Sequence, residues 1–116
     1  MLMPDGKAMD AATRGLRKMG GRRLVDIFVI GQDPSEGCIT YVIVGELDSP
    51  KEDRYSYHMF RDWTHSDSAD FGFAIGQGYY MMTYEEAMAE ATATVRDYRA
   101  RYAWNDPYTG QRLPKR

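Results

Sequence analysis

The chain has little cysteine and no long apolar segment, and each shortage excludes a class of protein. The single cysteine, Cys38, has no partner in the chain, so an internal disulfide and a zinc ribbon are excluded and a reducing compartment fits. No apolar run approaches the roughly 20 residues that a membrane-spanning helix needs. The first ten residues, MLMPDGKAMD, lack the apolar centre of a signal peptide. We therefore expect a cytoplasmic protein that has no membrane partner.

The sequence also lacks an organised catalytic or metal-binding motif. Imidazole and carboxylate groups occur together at His58, Asp62, His65 and Asp67, but their spacing matches no established metal site. The same residues would serve a small enzyme in which a histidine is the general base beside an aspartate, which is the third functional alternative. Cys38 is expected to be a small core residue rather than a nucleophile. We expect no cofactor, no metal and no enzymatic activity.

The composition is that of an ordinary globular domain. The chain has 116 residues, of which 43% are hydrophobic and 28% are charged. This length supports a modest core without disulfides or metals. We expect one α+β domain over residues 1–106, in which residues 1–21 form an N-terminal helix or arm. A basic, flexible tail is expected over residues 107–116.

The strongest local pattern predicts a helix over Thr83–Trp104. Thr83 followed by Glu86 is a capping-box pattern, in which each side chain satisfies the backbone N–H of the other residue. Acidic residues occupy the first turn and basic residues the last, as the helix dipole favours. Apolar residues recur at steps of three and four, which places them on one face. These residues are Tyr84, Met88, Ala91, Val95, Tyr98 and Tyr102.

Four strand-like segments precede this helix. They are Arg22–Ile30, Ile39–Leu47, Tyr55–Trp63 and Phe71–Met81. We therefore predict an α+β fold with a four-stranded antiparallel sheet, mostly a meander, and the long C-terminal helix packed on one face. A short N-terminal helix over Asp5–Met19, with Met9, Ala12, Leu16 and Met19 on its apolar stripe, is expected at an edge of the sheet.

The fourth predicted strand has one aromatic side and one nearly bare side. Its bare side carries Gly72, Ala74, Gly76 and Gly78. Glycine in a strand often marks a close approach to the backbone. The Ala-rich start of the last helix is the expected neighbour, and a partner lying across this side is the alternative.

Charge and aromatic content lead to the main functional hypothesis, a protein-binding module that acts by occupying a partner's surface. Residues 1–23 carry six basic and two acidic side chains, whereas residues 24–70 carry three basic and ten acidic ones. Nine tyrosines in 116 residues also favour an interface. The predicted partner-binding residues are Asp48, Glu52, Asp53, Tyr55, Tyr57, Trp63, Phe71, Phe73 and Tyr79. A second copy of the chain, forming a homodimer, is an alternative partner.

Small accessory proteins of phages and plasmids commonly have this size and architecture. A narrower expectation is therefore an anti-CRISPR-like inhibitor of host defence.

The alternative hypothesis is nucleic-acid binding. The basic residues that would contact phosphates are Arg14, Arg17, Lys18, Arg22 and Arg23, with sheet aromatics stacking on bases. The acidic middle of the chain opposes this hypothesis, because it would repel a phosphate backbone.

Overall fold

The computed structural model describes residues 2–62 and 79–115, except for the side chains of Asp62 and Tyr79. The elements are α1 (Gly6–Lys18), β1 (Arg23–Gln32), β2 (Ile39–Glu46), β3 (Tyr55–Asp62), β4 (Tyr79–Met82) and α2 (Tyr84–Arg101). The four strands form one antiparallel sheet in the order β1-β2-β3-β4, which is a meander. The predicted α+β fold is confirmed. The glycine-rich part of the predicted fourth strand lies outside the described residues.

The capping box predicted for the C-terminal helix is present. The Thr83 hydroxyl accepts a hydrogen bond from the Glu86 N–H at 3.2 Å, and the Glu86 carboxylate accepts one from the Thr83 N–H at 3.0 Å. The backbone bond from Thr83 also lowers the pKa of Glu86. The helix ends at Arg101, earlier than predicted, because Tyr102 is already extended. Trp104 then folds back, and its indole N–H donates to the Tyr98 carbonyl at 2.8 Å.

The two helices cover opposite faces of the sheet. Ala8, Ala12 and Leu16 of α1 share a buried cluster with residues of β1, β2 and β3, among them Tyr41 and Phe60. The residues that form the second cluster come from α2, the sheet and the segment after α2. They are Ile30, Val42, Val44, Tyr57, Ala87, Ala91 and Trp104. The result is a three-layer arrangement of helix, sheet and helix.

The position of α1 differs from the predicted edge position. Its buried stripe runs through Ala8, Ala12 and Leu16, whereas Met9, predicted to be on that stripe, is 39% exposed. The helix approaches β2 closely because Gly45 has no side chain, so Leu16 can lie directly over it. The helix therefore lies on a sheet face and leaves Met9 beside β1.

The segment after α2 contacts the rest of the domain, whereas the sequence predicts flexibility from residue 107. Asn105 and Gln32 exchange two backbone hydrogen bonds, of 2.8 and 2.9 Å, at the end of β1. Leu113 donates its backbone N–H to the Trp104 carbonyl and packs against the α2-side cluster. The Tyr108 hydroxyl donates to the Met3 carbonyl. This segment thus holds the N-terminal residues next to β1.

The contact between Leu16 and Gly45 predicts a measurable energetic coupling. A Cβ at Gly45 would lie 2.8 Å from Leu16 Cδ2, so Gly45→Ala should lower the free energy of unfolding by about 1–3 kcal/mol. Leu16→Ala should lower it by about 2–5 kcal/mol through the cavity it leaves. The double variant should lose less than the sum, because the cavity admits the added methyl group. Denaturant unfolding of wild type, the two single variants and the double variant measures these losses. If the losses of the single variants add up to that of the double variant, the contact between Leu16 and Gly45 is contradicted.

Candidate functional site

Two of the aromatic side chains predicted to bind a partner are engaged within the fold. Tyr57 is 7% exposed and belongs to the cluster under α2, which corrects its prediction as a partner-binding residue. Tyr55 is half-buried, with its ring centroid 5.5 Å from that of Tyr84 and 4.8 Å from the Arg54 guanidinium carbon. Trp63, Phe71 and Phe73 lie outside the described residues, as does the side chain of Tyr79. These predictions remain untested.

The acidic residues Asp48, Glu52 and Asp53 lie in the connection between β2 and β3. Asp48 and Glu52 are exposed, and Asp53 is half-buried. Asp48 borders an open polar cavity of about 600 Å³ that also contains Arg23, Glu46 and Arg54. Asp48 and Glu52 are therefore accessible, whereas Tyr57 is buried in the cluster under α2.

Glu46 is the centre of an ion-pair network at that cavity. Its carboxylate accepts hydrogen bonds from Arg23 at 2.5 and 2.8 Å and from Arg54 at 2.6 Å. Arg23 first, and then Arg54, lower the pKa of Glu46 to about 2. Both cations are thereby occupied by one buried carboxylate.

The five basic residues predicted for nucleic-acid binding have different environments. Arg14, Arg17 and Lys18 are exposed on α1. Arg23 is paired with Glu46, and Arg22 donates to the Met19 carbonyl at 2.5 Å and lies 5.0 Å from the Tyr80 ring centroid. Arg14, Arg17 and Lys18 are therefore exposed cations on α1, whereas Arg23, although 78% exposed, is paired with Glu46.

His58 lies inside the α1 side of the sheet and is fully buried. Its Nε2 is 2.8 Å from the Ser56 hydroxyl oxygen, its ring is in edge contact with Tyr80, and its Nδ1 has no hydrogen-bond partner among the residues that the structure describes. Burial, followed by the charge of Arg22, lowers the pKa of His58 to about 4. Such a group is neutral at pH 7 and is closed to substrate. His65, Asp67 and the side chain of Asp62 lie outside the described residues, so their predicted convergence is untested.

Cys38 is buried directly before β2, and burial raises the pKa of its thiol. Its Sγ lies within 4.8 Å of carboxylate oxygens of Asp33 and Glu36, a proximity the sequence analysis did not predict. One Asp33 oxygen already accepts hydrogen bonds from the backbone N–H groups of Ser35 and Glu36. The protonated thiol fits the predicted role of a core residue.

An apolar groove of about 790 Å³ lies along the outer edge of β1, between the two helices. Its floor is Asp26–Val29. One wall is formed by residues 2–4 with Met9 of α1, and the other by Thr92, Val95, Arg96 and Arg99 of α2. Met3 is 67% exposed, which leaves a flexible thioether at the rim. We call this feature the β1-edge groove.

Three backbone groups along the outer edge of β1 have side-chain partners inside the protein. The Ile27 N–H donates to the Asp26 carboxylate at 2.8 Å. The Arg99 guanidinium donates to the carbonyls of Val29 and Ile30 at 2.9 and 3.0 Å. The β1–β2 register is also shifted between Leu24 and Asp26 and between Val29 and Gly31. These features protect an edge strand against pairing with another strand.

The α2 wall gives the groove a positive rim. Arg96 is exposed and has no ion pair with any residue in the described part of the chain. Arg99 is half-buried, and its burial lowers its pKa below the usual arginine value. Asp26 supplies the opposing charge on the floor, but its carboxylate already accepts the Ile27 N–H.

The sequence patterns did not predict this groove. They place Met9 and Val95 on core stripes and Arg99 at the negative end of the helix dipole. One feature of the sequence could have indicated the groove. Arg99 follows Val95 by one helical turn, which places a cation among apolar residues on one face of α2.

Comparison of the chain with protein-family models, with curated proteins and with solved structures finds no match. Neither helix in residues 2–62 and 79–115 has both the length and the hydropathy needed to cross a bilayer.

Burial of His58 predicts a specific loss of stability in mild acid. Its pKa is about 4 in the folded chain and about 6.5 in the unfolded chain, so between these values only the unfolded chain binds the proton. The free energy of unfolding should be constant above about pH 6.5 and fall by roughly 3 kcal/mol by pH 4. Denaturant unfolding between about pH 5.5 and 7 measures the first part of this fall, because Glu46 titrates near pH 4.5 in the unfolded chain and adds its own loss of stability there. His58→Gln should remove most of the dependence, and an unchanged slope in that variant would contradict the assignment.

Proposed function

We propose that the protein is a non-enzymatic binding module whose β1-edge groove receives apolar side chains of a partner protein. The observation that carries the proposal is the groove itself, an accessible apolar surface bounded by charged side chains. Contiguous exposed apolar surface rimmed by polar groups is typical of protein interaction sites. The proposed site differs from the predicted one, which combined the Asp48–Asp53 region with sheet aromatics.

The walls of the groove favour a protein partner because they combine adaptable and fixed contacts. Met3 and Met9 offer thioether side chains that adjust to the shape of a partner. Phe28 and Val95 pack against the α2-side cluster, so they present a fixed apolar surface. The Tyr108 bond to the Met3 carbonyl holds the N-terminal wall in place. Such pre-ordering lowers the entropy lost on binding.

Met9→Glu should weaken partner binding at least about tenfold, because it places a carboxylate in a surface that becomes apolar and desolvated on binding. Met9 is partly exposed on α1, and both residues are good helix formers, so the fold should persist. The tagged chain would be used to capture its partner from a lysate of the source organism. The identified partner would then be purified and titrated calorimetrically.

Met81→Glu is the matched control, because Met81 is 72% exposed on β4, at the other end of the strand order. It should leave the affinity unchanged. A partner that binds wild type and Met9→Glu equally, or the absence of any partner, would contradict the proposal.

Two expectations from the sequence stay predictions. The narrower one, that the partner is a host defence protein, is tested by the identity of the captured partner. Nucleic-acid binding through Arg14, Arg17, Lys18, Arg22 and Arg23, with sheet aromatics stacking on bases, predicts a complex that weakens steeply with salt. A gel shift that shows no complex at low salt would exclude it.

A further inference from the structure

We infer that the partner segment bound in the β1-edge groove is an amphipathic helix with acidic residues beside its apolar stripe. This inference rests on the proposed function and specifies the chemistry of the partner. It follows from two properties of the groove, namely the side-chain bonds to two backbone groups of its floor and the arginine charge on its rim.

The occupied backbone disfavours an extended strand. Strand addition gains its affinity from main-chain hydrogen bonds to an open edge. Ile27 and Val29 are two residues apart in a regular stretch of the ladder, so their backbone groups point to the same side, away from β2. There the Ile27 N–H is bonded to Asp26 and the Val29 carbonyl to Arg99. An incoming strand would have to displace both side chains before it could bond to these two groups.

A helix satisfies its backbone internally and needs only apolar contacts from the groove. Helix-in-groove complexes use apolar side chains at positions i, i+3, i+4 and i+7 as anchors. The apolar floor at Phe28 and the walls at Met9 and Val95 offer surfaces for such anchors. Two helices already flank this edge, so the partner helix would lie between α1 and α2 beside β1.

The charge on the rim selects an acidic helix. Arg96 has no ion pair among the described residues, and Arg99 uses two of its N–H groups on β1 carbonyls. Arginine presents five N–H donors, so Arg99 retains donors for a carboxylate. Two cations on one wall attract acidic side chains and repel basic ones. A second copy of this chain fits less well, because a two-fold pairing of the groove brings the same excess of arginine from both copies to one interface.

The test uses four synthetic peptides and fluorescence anisotropy against the full chain. Three are side-chain-bridged helices of about five turns with the same leucine stripe and flanks of glutamate, lysine or glutamine. The fourth is an extended peptide of alternating valine and threonine. The glutamate helix should bind most tightly, roughly three- to tenfold above the lysine helix, and the difference should shrink as ionic strength rises.

Charge-reversed variants test which arginine causes the preference for the glutamate helix. Arg96→Glu should abolish or invert the preference for the glutamate helix. Arg101→Glu is the matched control, because Arg101 is an exposed α2 cation that pairs with Asp97 at 3.3 Å and does not line the groove. It should keep the preference. Met9→Glu should reduce binding of all three helices.

Four outcomes would overturn the inference. These are equal binding of the glutamate and lysine helices, tighter binding of the extended peptide, no binding of any helix, and a concentration-dependent dimer of the free chain that Met9→Glu abolishes. If a captured partner still depends on Met9 while no helix binds, the helix inference fails and the proposed function stands. If partner binding does not depend on Met9, the proposed function fails as well.

Discussion

The contact between Arg99 and the edge of β1 is the interaction on which the candidate site depends. Its guanidinium crosses from α2 to the carbonyls of Val29 and Ile30, at 2.9 and 3.0 Å. These bonds fix the last turns of α2 beside the edge strand and satisfy carbonyls that the sheet leaves free. A charge-assisted bond to a backbone carbonyl is stronger than a neutral one, so this connection is well suited to hold helix and sheet together. The connection also places Val95 and Arg96 on the α2 wall of the β1-edge groove.

The opposite wall is held by a different set of contacts. Gly45 lets Leu16 approach the sheet closely, so α1 lies on the face and Met9 falls beside β1. Tyr108 holds the backbone of Met3 from the chain's other end. The groove is thus bounded by segments that are distant in sequence, and each has its own attachment to the sheet. This arrangement explains how an apolar groove persists at the edge of a small domain.

Much of the fold could be predicted because it depends on local patterns. Residues close together in sequence determine the helical period of α2, its Thr83–Glu86 cap and the alternating pattern of the strands. The site could not be predicted, because it depends on which face each helix covers. Ala8 and Met9 are neighbours, and a rotation of α1 by one residue decides which of them is buried. Likewise, Tyr57 is equally compatible with a surface and a core position until α2 is placed over it.

Methyl NMR of the methionines tests whether a partner helix binds in the β1-edge groove. The chain contains eight methionines, of which Met3 and Met9 line the groove and Met81 lies exposed on β4. In a titration of the methyl-labelled chain with the glutamate-flanked helix, the signals of Met3 and Met9 should shift together and saturate, while that of Met81 stays unchanged. Binding that shifts Met81 and leaves Met3 and Met9 unmoved would contradict the account.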